Sequence, residues 1–149
     1  MNLLPIPADG VTSDPMLSTP GCADILEIYQ SYYPKIGFEF PWIGYFIISD
    51  GAAVGTCGFT GKPENNRVEV AYYTFPAHER KGIASWACKE LVRIAKQHQP
   101  AVIITAKTAP EENPSTAILK KNGFRQNGIV EDEGIGSAWE WILEITNEP

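Results

Sequence analysis

The sequence predicts a mixed α and β fold organised around one strand-helix-strand crossover. Residues 68–75 read VEVAYYTF and residues 101–108 read AVIITAKT, and both runs are rich in the β-branched and aromatic side chains typical of strands. Apolar residues recur every three or four positions from Gly82 to His98, which indicates an amphipathic helix between the two runs. Two strands joined by such a crossover lie parallel in one sheet.

The composition predicts a single domain spanning residues 1–149. The chain is 44% hydrophobic, which is enough for one core at this length. Its net charge of -6 disfavours a nucleic-acid partner, because such binding depends on clustered Lys and Arg. The sequence shows no membrane-spanning apolar run and no signal peptide, so we expect a cytoplasmic protein with no membrane partner. Three widely spaced cysteines (Cys22, Cys57 and Cys88) predict buried, reduced thiols and no metal site.

The first predicted helix begins near Thr19 as N-cap, with Pro20 behind it, and ends at Pro34. Its apolar positions are Ile25, Leu26, Tyr29, Tyr32 and Tyr33. The runs YFIIS and AAVGTCGF follow, joined by Asp50-Gly51, and this pattern predicts an antiparallel hairpin. Pro76 ends the strand 68–75, and Pro100 ends the helix that starts at Gly82.

A short helix after residue 108 is predicted from its two ends. Asn113 is a typical N-cap with Pro114 behind it, and the run Lys120, Lys121, Asn122, Gly123 is typical of a helix end. In the last strand, Trp139, Trp141, Leu143 and Ile145 alternate with Glu140 and Glu144. That alternation predicts one core face and one mostly polar face.

The loop PAHERKGIAS joins a strand end to a helix start, and it is a candidate anion site. Free amides of a first helical turn and the helix dipole favour negative charge, and Arg80 and Lys81 stand beside Gly82. Glycine also lets a phosphate approach the backbone closely. Basic residues beside a glycine are, equally, common in ordinary surface turns.

Three segments resemble the GCN5-related N-acetyltransferase (GNAT) superfamily, especially the branch of ribosomal-protein N-terminal acetyltransferases. EVAYYTFPAHERKGIAS resembles the family's strand and its pyrophosphate loop, Q/R-x-x-G-x-G/A. TAPEENPSTAILKKNGF is similar to the branch's T-x-P-E-N-x-x-S-x-x-x-L-x-K-x-G-F helix, and VGTCGF resembles the family's third strand. The resemblance covers roughly residues 45 to 145.

The resemblance implies a sheet of six or seven mostly antiparallel strands with a central parallel pair that splays apart, flanked by helices. It implies acetyl-coenzyme A as co-substrate and no metal. The residues it assigns to the coenzyme are Tyr72, Tyr73 and Thr74 for the pantetheine, Arg80, Lys81, Gly82, Ile83, Ala84 and Ser85 for the pyrophosphate, and Asn113. Glu79 and Glu112 depart from the family pattern, which has Gln or Arg at the first position and Asn at the second.

Acetyl transfer to an amine needs a group that takes a proton, since an alkyl amine with a pKa of about 10.4 is protonated at neutral pH. Glu69 aligns with the glutamate of the branch's E-I-G-Y pattern and is the candidate base; a glutamate on the wet face of a strand is the alternative. Many relatives use a tyrosine to return a proton to the thiolate, where this chain has Leu119. Ser115 is the candidate substitute, or else a simple support of the helix start.

A strand amide near Tyr72 or Tyr73 is the expected donor to the thioester oxygen. The sequence shows no evident covalent nucleophile, so we expect direct transfer in a ternary complex; a thiol hydrolase built from His78 with Cys57 or Cys88 is disfavoured. Five aromatics are candidates for the acceptor pocket or, alternatively, ordinary core: Tyr32, Tyr33, Phe38, Phe40 and Trp42. Three acids are candidates for the same pocket or, alternatively, a solvated hairpin: Glu131, Asp132 and Glu133.

The function that the sequence predicts is an acetyl-CoA-dependent N-acetyltransferase acting on a primary amine of a small molecule or on a protein N-terminus. A second class remains open, namely a member of the same fold that binds coenzyme A or a partner protein without turnover. The resemblance also leaves a homodimer open.

Overall fold

The computed structural model describes residues 1–12, 14–132, 134 and 136–143. Within them the chain forms seven strands and three α-helices, which confirms the mixed α and β class. In chain order these are β1 Asn2–Pro5, α1 Cys22–Ile36, β2 Gly44–Ser49, β3 Ala52–Phe59, β4 Arg67–Thr74, α2 Ile83–His98, β5 Ile103–Thr108, α3 Pro114–Lys121, β6 Arg125–Asp132 and β7 Gly136–Leu143. Short 3-10 turns occupy Pro15–Leu17 and Pro76–His78.

All seven strands belong to one sheet with the order β1-β2-β3-β4-β5-β7-β6. Neighbouring strands are antiparallel except β4 and β5, which are parallel as the crossover predicts. Strand β1 was not predicted, because its four residues are few and include Pro5, which is tolerated at a sheet edge. Pairing with β2 holds it in place, from Asn2 opposite Ile48 to Pro5 opposite Tyr45.

The hairpin between β2 and β3 is confirmed. Asp50 and Gly51 have φ values of 51° and 78°, so both central residues take the left-handed conformation. A two-residue connection of this type matches the right-handed twist of the flanking strands.

Helix α1 differs from its prediction at both ends. It begins at Cys22 after Gly21, which makes no side-chain cap, rather than after Thr19. Pro34 lies inside the helix, which ends at Gly37 (φ 89°), whose amide donates to the Tyr33 carbonyl at 2.7 Å. A proline in a last turn removes a single helical hydrogen bond, a loss that the packed aromatic side chains of this turn outweigh.

Helix α2 packs against β3 and β4 and provides the centre of the core. Its inward stripe is fully buried, and each large apolar side chain buried there contributes about 1.5 to 3 kcal/mol. The stripe consists of Ile83, Ala87, Cys88, Leu91 and Ala95. The three cysteines are free and buried, as predicted.

Strand β7 is covered on both faces, so the prediction of one mostly polar face was wrong. Trp141 is buried on one face, while Ala138 and Ile142 are buried on the other, beside the half-buried Glu140. Whether a strand's second face is covered depends on what packs against the sheet, and the alternation within one strand cannot reveal it. Glu144 and Ile145 lie outside the described residues.

Candidate active site

The site is organised by the point where β4 and β5 separate. The two parallel strands pair only from Arg67 to Glu69 on β4, opposite Ile103 to Thr105 on β5. Beyond that point β4 continues to Thr74 alongside β3 alone, and β5 continues alongside β7. The strands therefore diverge after Glu69, which agrees with the splay that the resemblance implies.

The backbone of β4 offers hydrogen-bonding groups to the opening. On the β3 side, the Glu69 backbone oxygen accepts from the amide of Thr60, the residue after β3, at 3.0 Å, and the Phe75 amide donates to the Val54 oxygen at 2.9 Å. Because backbone groups alternate sides along a strand, Tyr73 also points to β3, whereas Tyr72 and Thr74 point toward the gap. Of the two tyrosines named as oxyanion donors, Tyr72 is the one whose amide faces the opening.

A groove of about 600 Å³ runs from this opening between the start of α2 and the first turns of α3. Ser115 and all but two of the predicted coenzyme residues line it; the exceptions are Lys81 and Asn113. The groove also contains residues that sequence reasoning did not assign: His78, Glu79, Pro114, Ala117, Ile118 and Lys121. The sequence could have indicated Lys121, since this residue belongs to the K-x-G-F end of the matched helix motif.

The N-terminus of α2 opens into the groove. Gly82 caps it with φ 75° and no side-chain hydrogen bond, and the first helical bond runs from the Trp86 amide to the Gly82 carbonyl at 3.1 Å. The amides of Ile83, Ala84 and Ser85 have no acceptor in the part of the chain that the structure describes. Free donors at a positive helix end are typical of anion sites.

The charges along the groove are mixed but mainly positive. Arg80, itself in a left-handed conformation at φ 66°, and Lys121 contribute cations, and Lys81 is exposed nearby. The exposed carboxylate of Glu79 also lines the groove and makes no hydrogen bond or ion pair with a described residue. The departure from the family loop at Glu79 therefore places a negative charge in this groove.

Ser115 and Tyr72 meet at one wall of the groove. The Tyr72 hydroxyl donates to the backbone oxygen of Ser115 at 3.4 Å, while the Ser115 hydroxyl has no partner among the described residues. Burial raises the pKa of Tyr72, so its phenol stays protonated at neutral pH. Leu119, on the same helix, is 1% exposed and belongs to the core.

Asn113 and Glu112 are both engaged in the local structure of α3. The side-chain oxygen of Asn113 accepts from the Thr116 amide at 3.0 Å, which confirms Asn113 as the N-cap. The Glu112 carboxylate accepts from Lys120 at 2.9 Å, and this hydrogen bond lowers its pKa. Neither residue lines the groove, and the coenzyme contact of Asn113 stays a prediction.

Glu69 lies on the other face of the sheet from α2 and carries an ion pair. The Lys107 ammonium is 3.3 Å from a Glu69 carboxylate oxygen and 3.5 Å from one of Asp132. Burial lowers the pKa of Lys107, but the two carboxylates outweigh it and raise that pKa above its usual value. The sequence did not identify Lys107 as a neighbour of Glu69, because no local pattern links it to a residue 38 positions earlier.

Tyr32 is half-buried beside the same group. Burial raises the pKa of Tyr32, and the charges of Glu69 and Asp132 raise it further. Tyr32 and Asp132 had been named as acceptor-pocket candidates, and the structure brings both to Glu69. Of the other candidates, Tyr33 and Trp42 are core, Phe38 and Phe40 are exposed, Glu131 accepts from Ser137 at 3.4 Å, and Glu133 lies outside the described residues.

The thiols offer no alternative chemistry. Cys57 and Cys88 lie in the core, where burial raises the pKa of both, whereas His78 lines the groove. Within residues 1–12, 14–132, 134 and 136–143, no three His, Cys, Asp or Glu side chains are grouped as metal ligands. None of the described helices is long and apolar enough to cross a membrane.

A splayed parallel pair with an uncapped helix N-terminus at its opening is the arrangement that the resemblance to the GNAT superfamily implies. Residues 15–125 match the family described as the acetyltransferase (GNAT) domain. The chain therefore belongs to the GNAT family.

Known relatives agree with this assignment. The chain is 35% identical over 80 residues to an uncharacterised N-acetyltransferase, p20, of Bacillus licheniformis, a stretch covering 53% of this chain and 45% of that protein. The chain thus spans less than half the length of this curated relative. Two solved structures share the fold: the ribosomal-protein-alanine N-acetyltransferase of Brucella melitensis (TM-score 0.64, 15% identity, 92% of this chain and 87% of that one), and YncA of Salmonella typhimurium with its cofactor acetyl-CoA (TM-score 0.63, 16% identity, 88% and 78%).

Proposed function

We propose that this protein is an acetyl-CoA-dependent N-acetyltransferase that acetylates a primary amine of a small molecule or a protein N-terminus. The observation that carries the proposal is the position of Glu69. It stands at the last paired position of β4 and β5, where the coenzyme groove opens on one side and the Glu69 carboxylate faces the other. Donor and acceptor would enter from opposite faces and react directly in a ternary complex.

The groove suits a coenzyme with a pyrophosphate and a long pantetheine arm. The amides of Ile83, Ala84 and Ser85 would bind the pyrophosphate, with Arg80 and Lys121 supplying positive charge. Hydrogen bonds to a charged oxygen contribute about 1.5 to 3 kcal/mol each. The backbone of Tyr72 and Thr74 would bind the pantetheine, as a short strand beside β4. When bound, the coenzyme supplies an acetyl thioester.

The residues on the Glu69 face would prepare the amine. The Glu69 carboxylate is 27% exposed, so it is open to solvent and to an incoming ammonium group. It would accept a proton from that group, directly or through water. The Lys107 ammonium, 3.3 Å from the carboxylate, would orient Glu69 through their ion pair.

The groove offers two hydroxyl donors for the departing thiolate. The Ser115 hydroxyl is unpaired in the described structure, and the Tyr72 hydroxyl lies against the same helical turn. We assign the proton to Ser115, because its hydroxyl can turn without breaking an existing hydrogen bond. The Tyr72 amide would donate to the thioester oxygen.

The proposal is tested by acetyl-CoA binding and by thiol release. Calorimetry should show saturable acetyl-CoA binding, and purified protein given acetyl-CoA and a broad panel of amines should release free coenzyme A above background. The absence of heat at millimolar coenzyme would overturn the assignment.

Two observations favour the second candidate, a coenzyme-binding protein without turnover. The unpaired Glu79 carboxylate lines the groove, where it repels phosphates. Leu119 stands where many relatives have a tyrosine that returns a proton to the thiolate. Acetyl-CoA that raises the melting temperature while no amine yields free thiol would support this candidate instead.

A further inference from the structure

A second cavity, of about 400 Å³, lies on the Glu69 face. The end of α1, the β3–β4 connection and the first residues of β4 line it, together with Glu69 and its β5 neighbour Thr105. The volume is within the range of about 300 to 1,000 Å³ that is usual for small-molecule sites. The cavity is separate from the coenzyme groove and shares none of its lining residues.

The cavity is cationic in a chain that is otherwise acidic. Its lining carries three cations and two carboxylates, whereas the whole chain has a net charge of -6. Two of these groups are already paired: Arg67 with Glu140 at 3.2 Å, and Glu69 with Lys107 at 3.3 Å.

Two of the cations are free to bind a ligand. Lys35 and Lys62 are exposed, and neither makes an ion pair or hydrogen bond to a described residue. Lys35 lies in the last turn of α1, where its charge also offsets the negative helix end. Lys62 lies on the β3–β4 loop and has no such role, so its charge remains available to an anion.

We propose that this cavity binds the acceptor, and that the acceptor is a small amine that also carries a carboxylate, such as a free amino acid. The proposal rests on the acetyltransferase function above. The amine would lie at the Glu69 end, and the carboxylate would contact Lys62, with Lys35 beside it. A neutral or polycationic amine would leave both ammonium groups without an anion.

Matched acceptors test this proposal. Free amino acids, each compared with its own carboxamide, should be used with a KM lower by about tenfold or more, the loss expected when one charged hydrogen bond is removed. Lys62→Gln should raise the KM for the amino acid by a similar factor with kcat little changed, and leave the KM for the carboxamide unchanged. Lys62→Arg should retain the preference.

The control is Lys96→Gln, an exposed lysine in the last turn of α2 that lines neither cavity. Equal use of acid and amide, an equal effect of Lys62→Gln on both, or a preference for peptide N-termini over free amino acids would overturn the proposal. Calorimetric binding of the amino acid to wild-type and Lys62→Gln protein gives the same comparison without turnover. Acetyl-CoA binding, measured without acceptor, reports separately on the acetyltransferase function.

Discussion

The ammonium nitrogen of Lys107 on β5 lies 3.3 Å from a carboxylate oxygen of Glu69 on β4, next to the point where these parallel strands part. The ion pair joins the two strands on the Glu69 face of the sheet, at the position where their backbone pairing stops. The side chain of the proposed base is therefore held beside the opening between the strands.

Lys107→Met should remove a pH-dependent part of the stability. The folded state raises the pKa of Lys107, so its contribution is complete below the unfolded-state pKa of about 10.4 and is lost as the pH rises through the higher folded-state value. Urea unfolding of wild type and variant should therefore show a larger difference in the free energy of unfolding at pH 9 than at pH 11.5. Lys96→Met is the control; a difference that does not change with pH would contradict the prediction.

Glu69→Gln should lower kcat by about a hundredfold or more, as expected when a general base is lost. The dissociation constant for acetyl-CoA should change little, because Glu69 does not line the coenzyme groove. Steady-state kinetics and calorimetry measure the two quantities, with Glu27→Gln, an exposed change on α1, as control. Unchanged turnover would remove Glu69 from the mechanism.

Gly82→Asp should abolish coenzyme binding. A side chain here has no atom within 4 Å to meet, so the loss comes from a carboxylate at the helix N-terminus and from φ 75°. Gly51→Asp is a matched control for the backbone, since Gly51 has φ 78° and equally open space in the β2–β3 hairpin. Both variants should lose up to about 1 to 2 kcal/mol of stability, whereas calorimetry should show lost acetyl-CoA binding in Gly82→Asp alone.

Ser115→Ala and Thr116→Ala should separate catalysis from helix capping. Loss of the proposed proton donor Ser115 should lower kcat by about a hundredfold, the low end of acid-base effects. The melting temperature should not change, because the Ser115 hydroxyl has no partner among the described residues. Thr116 is fully buried in the capping box, and its loss should cost about 1 to 2 kcal/mol of stability. Full activity of Ser115→Ala would transfer the proton-donor role to Tyr72, which Tyr72→Phe then tests.

Local signals predicted well wherever neighbouring residues decide the structure. The Asp50-Gly51 turn, the Asn113 cap and the start of α2 at Gly82 depend on backbone conformations that a few adjacent residues select. Helix α1 was misplaced at both ends because its N-cap, Gly21, makes no side-chain hydrogen bond that marks the start, and because Pro34 is accommodated in the last turn. Most of the residues proposed to bind the coenzyme line one groove, since they come from two continuous motifs.

The sequence by itself determined most of the elements, the crossover and the strand-turn-helix of the proposed coenzyme site, because these depend on interactions between residues close in the chain. Only the tertiary structure decided which backbone amides of β4 face the opening, that Lys107 and Asp132 meet Glu69, and that Lys35 and Lys62 share a cavity with it. Those groups come from a helix, a loop and three strands, and only long-range strand pairing and helix packing bring them together.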